Sequence, residues 1–98
     1  MIDNLRPHLE IANKIIDPLK EIGFSDIEVR INHKNKLLIN CIKYSDRAND
    51  FVGVAEMVTL PTHGTLSERQ LIHLVVDEWL NTEIPLAKRH LLKKIKQW

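Results

Sequence analysis

The chain reads as an α+β protein, a single domain in the order α-β-β-β-α-α with a three-stranded antiparallel meander packed by helices. Three observations predict that class. Apolar residues recur at helical spacing from Leu5, change to alternating or continuous runs from Ile27 to Leu60, and return to helical spacing after Ser67. A turn of hairpin length and a polar loop separate the three middle runs. The chain of 98 residues is long enough for one core and too short for two.

The first helix is expected over residues 5–22. Leu5, Leu9, Ala12, Ile16 and Leu19 alternate spacings of four and three, and Ile11, Ile15 and Ile22 widen that face. Pro7 suits a first turn, where its missing N–H is harmless. Pro18 has no donor for the carbonyl of Lys14, so it should kink the helix or restart it after Asp17. Gly23 offers a left-handed end.

Strands are expected over residues 27–32, 36–43 and 51–60. Ile27, Val29 and Ile31 alternate with Glu28 and Arg30, the pattern of a strand with one wet face. Asn32-His33-Lys34-Asn35 has turn chemistry. Leu37 to Ile42 is apolar at nearly every position, which predicts a central strand covered on both faces. Tyr44 to Asp50 is a polar loop, and Gly53 in the third strand marks a bulge or a close approach of backbone.

Helices are expected over residues 67–80 and 86–97. Ser67 and Gln70 have capping-box spacing, and Leu71, Ile72, Leu74, Val75, Val76, Trp79 and Leu80 cover most of the helix that follows. Asn81 should stop it and Pro85 should open another. There Ala87, Leu91, Leu92, Ile95 and Trp98 form an apolar side, with Arg89, Lys93 and Lys96 in a basic row opposite.

Composition excludes several classes. The single cysteine, Cys41, permits no internal disulfide, which fits a reducing compartment. The start, Met-Ile-Asp-Asn-Leu-Arg-Pro, lacks a basic residue followed by an apolar run, and no stretch is apolar enough to span a bilayer. A cytoplasmic protein with no membrane role is expected.

No catalytic residue, metal or cofactor is expected either. His8 sits on the apolar side of the first helix, His33 in a turn, His73 on a wet stripe and His90 near the basic side of the last helix. No two histidines stand four residues apart in a helix, as a local zinc site would need. The short motif with chemical content is His63-Gly64-Thr65. It resembles one half of the paired motif of two-histidine phosphoesterases, and a phosphoryl-transfer or hydrolase role through His63 would follow from that resemblance. No second histidine has the required hydroxyl residue after it. Cys41 in mid-strand reads as an inert thiol, and Gly23, Gly53 and Gly64 are too scattered for a phosphate loop.

Charge is distributed unevenly. From Ile84 onward the chain has Lys88, Arg89, Lys93, Lys94 and Lys96 and no acid, although its formal net charge is only +1. Everything before Ile84 is therefore net acidic. Such asymmetry points to a charged partner. Lys88, Arg89, Lys93, Lys94, Lys96 and Trp98 are the candidate partner-binding residues, and Lys34, Lys36 and Lys43 extend the patch if the helix packs nearby.

Two functions follow. The first is a small non-enzymatic binding protein that associates stoichiometrically with a protein or nucleoprotein partner, or with a second copy as a homodimer. Inhibitors, adaptors and immunity-type proteins of phages and other mobile elements are of this kind. Its basis is the absence of a catalytic set together with more apolar surface than a small domain can cover. The alternative is a nucleic-acid-binding domain. The order α-β-β-β-α, with His33 in the first hairpin, resembles the double-stranded RNA-binding domain. The lysine cluster that opens that family's second helix is missing, and Leu66-Ser67-Glu68-Arg69 stands in its place.

Overall fold

Two short helices, three strands and one long helix follow one another in the computed structural model, which describes residues 5–96. Helix α1 (Arg6–Lys14) and helix α2 (Ile16–Ile22) replace the single helix expected over residues 5–22, and the break falls at Ile15, before Asp17 rather than after it. Pro18 explains the place. Its nitrogen has no hydrogen for the carbonyl of Lys14, and its ring crowds that carbonyl. Restarting at Ile16 moves Pro18 into a first turn, where no donor is needed. Gly23 closes α2 at φ 118°, and the amides of Gly23 and Phe24 donate to the carbonyls of Lys20 and Leu19, each at 3.0 Å. A side chain would strain that backbone, so glycine ends the helix as its position predicts.

Strands β1 (Ser25–Ile31), β2 (Lys36–Ser45) and β3 (Asp50–Thr59) form an antiparallel sheet in the order β1-β2-β3. The protein is thus α+β with the expected meander. Asn32 Oδ1 accepts the amides of Lys34 at 2.9 Å and Lys36 at 3.0 Å, and Asn35 takes the left-handed φ of 58° that closes the first hairpin. Tyr44 and Ser45 extend β2 and Asp50 opens β3, so the expected loop shrinks to residues 46–49. Tyr44 is not free in that loop. It pairs across the ladder with Phe51, the rings edge to face at 5.2 Å. Gly53 pairs with Ile42 in unbroken register, and the irregularity lies instead between Ser25 and Glu28 of β1.

Alternation sorts the sheet into two unequal faces. Leu37, Ile39, Cys41, Val52, Val54 and Val58 share one buried cluster with Ala12, Ile15, Leu19, Leu71, Val75 and Trp79 of the helices. Leu38 and Ile42 lie on the opposite face and are half-buried, while Phe51 and Met57 beside them are more than half exposed. Strand β2 is central but covered on one face, not on both. The helical segments form a single layer, and among the described residues no further element is left to cover the second face.

Helix α3 (Glu68–Lys96) is one continuous helix where two were expected. Its start obeys the capping box: the Ser67 amide donates to Gln70 Oε1 at 2.8 Å, and the Gln70 amide donates to Ser67 Oγ at 3.1 Å. Asn81 and Pro85 do not end it. Proline removes the donor that the Asn81 carbonyl would use, but both residues are exposed, so water replaces it. Trp79 before the proline and Leu86 after it both pack against the core, which keeps the two halves in line. At 1.5 Å per residue the helix is about 43 Å long. It accounts for the elongated shape, 60 × 25 × 19 Å.

Candidate functional site

Leu71, Val75, Trp79 and Glu83 follow one another at intervals of four and draw one line along the buried side of α3. The last two fasten the helix where the sheet ends. Trp79 donates from Nε1 to the carbonyls of Val52 at 3.1 Å and Lys43 at 3.3 Å. Phe24 meets its ring edge to face at 6.2 Å, and the Lys43 ammonium stands 4.4 Å from the ring centroid. Glu83 is 3% exposed. It accepts from Ser45 Oγ at 2.6 Å and from Arg47 at 2.5 Å, and Ser45 Oγ in turn accepts the Ala48 amide at 3.0 Å. Arg47 is mostly in water, so that ion pair is screened and the buried serine bond contributes more. Sequence reasoning missed this carboxylate. Its signal was present: Glu83 continues a line of three residues that are otherwise apolar.

Beyond Glu83 the helix becomes an arm. Leu86, Ala87 and His90 still touch the body around Ala48, but Leu91, Leu92 and Ile95 are 59%, 57% and 61% exposed. Leu80 and Ile84 extend the same open stripe toward the sheet, at four-residue and seven-residue spacings from its members. Leu91, Leu92 and Ile95, the apolar side expected of a separate last helix, do not pack inward, and the cations Arg89 and Lys93 opposite them are exposed too. Arg89 and Lys93 lie five turns beyond Leu71 and Val75, on the side that faces the sheet in the first half. They line a groove of about 290 Å³ with Ala48, Asp50 and His90. Where the sheet runs out, that line changes from apolar to basic, and the apolar stripe points away from the body.

Lys88, Arg89, Lys93 and Lys94 are all exposed and form no ion pair with a described acid. Trp98 lies outside the described residues, as does the side chain of Lys96. The hairpin lysines do not extend the patch. Lys34 and Lys36 sit at the end of the sheet where β3 hands over to α3, and Lys43 is engaged on Trp79.

The chemistry-bearing side chains are dispersed. His63 is exposed in the loop after β3, and His8 is buried. His8, Asn35, Thr62 and Thr65 line a cavity of about 500 Å³, and among the described residues neither His63 nor any carboxylate or cation lines it. Among the described residues no three histidine, cysteine or acidic side chains come together as a metal site would require. Cys41 is buried in β2, and burial pushes its thiol up to about 11, away from nucleophilic use. Burial, followed by the charge of Glu78, holds the Glu56 carboxyl above its ordinary range. No described helix is long and apolar enough to cross a membrane.

No protein-family model matches the chain, and no curated protein and no solved structure matches it.

Proposed function

We propose that the protein is a small non-enzymatic binding protein acting by stoichiometric association, with the arm of α3 as its working surface. The observation that carries this reading is the exposure of Leu91, Leu92 and Ile95 on a helix whose other half is fixed to the sheet. A contiguous apolar stripe left in water is costly for a monomer and suits helix-in-groove recognition. Lys88 and Lys94, which border the stripe, favour an acidic rim on the partner. An inhibitor or adaptor, including the immunity type, works by occupying a partner in this way. The single buried thiol suits a reducing, cytoplasmic setting.

The test compares the wild type with Leu91→Glu/Ile95→Glu, both changes lying at positions more than half exposed. Thermal unfolding should be nearly unchanged while a complex that survives high salt in the wild type is lost. Equal complex formation by both proteins would show that the arm is not the binding surface. The four exposed cations also support a second reading, nucleic-acid binding. On that reading Lys88→Gln/Arg89→Gln/Lys93→Gln should weaken duplex binding for all sequences. Its log–log salt slope should fall by about 0.9 for each lost phosphate contact.

A further inference from the structure

Helix α3 is a charge dipole laid over an apolar stripe. From Glu68 to Glu83 it has four acids against Arg69 alone, and from Ile84 to Lys96 it has five cations and no acid. Eleven residues make just over three helical turns, so Asp77 and Lys88 lie on one face, and both are exposed. Leu74 and Leu92 are five turns apart and flank that face, with Ile84 between them along the helix. They are 37%, 57% and 46% exposed. Leu71, Val75 and Trp79 are buried on the other side of the helix, so this face looks away from the sheet.

We infer that this face binds a second copy of the chain, α3 against α3 in antiparallel orientation. This rests on the arm being a binding surface and names its partner. Charge decides the orientation. Parallel pairing sets Lys88 beside Lys88 and basic arm beside basic arm. Antiparallel pairing sets the Lys88 of each copy beside the exposed Asp77 of the other. The register that places Asp77 opposite Lys88 also places Leu74 opposite the Leu91–Leu92 step, because both pairs have matching sums of sequence position. A two-fold axis then gives each contact twice: two Asp77–Lys88 ion pairs outside and two leucine clusters beyond them, with Ile84 near the axis. The contact is isologous and therefore closes at two copies, without growing into a filament.

Charge reversal and its rescue test this directly. Sedimentation velocity on the full chain, at concentrations up to about 100 μM, should show a dimer that weakens with salt. Asp77→Lys and Lys88→Glu should each weaken it about tenfold or more, since each turns two attractive pairs repulsive. The double variant Asp77→Lys/Lys88→Glu should recover wild-type dimerisation to within about threefold. Both sites are exposed, so thermal unfolding of the variants reports that the fold is intact. A dimer that ignores both single reversals, or a double variant no better than the singles, overturns the antiparallel pairing. A wild type that stays monomeric overturns the second copy. If it still loses another partner on Leu91→Glu/Ile95→Glu, the arm remains the binding surface and the helix pairing alone is wrong.

Discussion

Replacing Trp79 by alanine tests the joint that holds α3 to the sheet. The indole is 6% exposed, so truncation removes a large buried side chain and leaves a cavity, which costs about 3–5 kcal/mol. The carbonyls of Val52 and Lys43 lose a shared donor, which adds about 1 kcal/mol where water cannot replace it. The total, roughly 4–6 kcal/mol, is comparable with the whole stability of a small domain. With an m-value of about 1.5 kcal/mol/M, the urea midpoint should fall by roughly 3 M, read by far-ultraviolet circular dichroism. Trp79→Phe narrows the contributions, because it keeps a six-membered aromatic ring in the core and loses the N–H together with the rest of the five-membered ring. It should cost about 1–3 kcal/mol. A loss below about 1.5 kcal/mol for alanine, or equal losses for both variants, would refute the anchoring role assigned to the indole.

Four further outcomes follow from Cys41, Ser45, Arg47 and Glu56. Cys41 should resist a bulky thiol reagent in the native state and react only on unfolding, and labelling at the rate of a free thiol would contradict its burial in β2. Ser45→Ala removes a donor to the buried Glu83 carboxylate and an acceptor for the Ala48 amide, so it should cost about 1–3 kcal/mol. Arg47→Ala should stay within about 1 kcal/mol, and the reverse order in chemical denaturation would show that the ion pair dominates. Glu56 has its folded pKa raised, so its contribution favours the fold at acid pH and is lost as pH rises through that pKa. Glu56→Gln should therefore raise the unfolding temperature at neutral pH, with the gain vanishing in acid. A gain independent of pH would separate the effect from ionisation.

Local rules were legible in the chain wherever one residue type settles the matter. Gly23 ends α2, Ser67 with Gln70 starts α3, and Asn32 with Asn35 closes the first hairpin, each through hydrogen bonds to backbone within a few residues. The misreadings arose where local signals compete with packing. Pro18 broke the first helix three residues before itself, because a helix avoids the ring by restarting early. Asn81 and Pro85 carry ordinary stop signals, yet contacts made by Trp79 and Leu86 with a sheet distant in sequence outweigh one missing hydrogen bond. The apolar content of β2 implies two covered faces, although sequence cannot count the layers available to cover them. Five of the six candidate binding residues stand out by charge, and the sixth is Trp98. The exposed Leu91, Leu92 and Ile95 and the buried Glu83 were not among them, since neither burial nor exposure is written in residue type.

The sequence by itself determined the class, the order of the strands and the chemical character of the arm: basic, apolar and without acids after Glu83. These depend on periodicity, turn residues and composition, which act over a turn or a hairpin. Only the tertiary structure decided which side of α3 meets the sheet and how far along the helix that contact lasts. That depends on where the sheet ends, and hence on Trp79 and Glu83 finding carbonyl and hydroxyl partners on β2 and β3, 27 to 38 residues earlier in the chain. Past that point the same helical line carries Arg89 and Lys93 in place of Leu71 and Val75. Without a sheet to cover it, the leucine stripe stays in water, because no other part of the described chain reaches it.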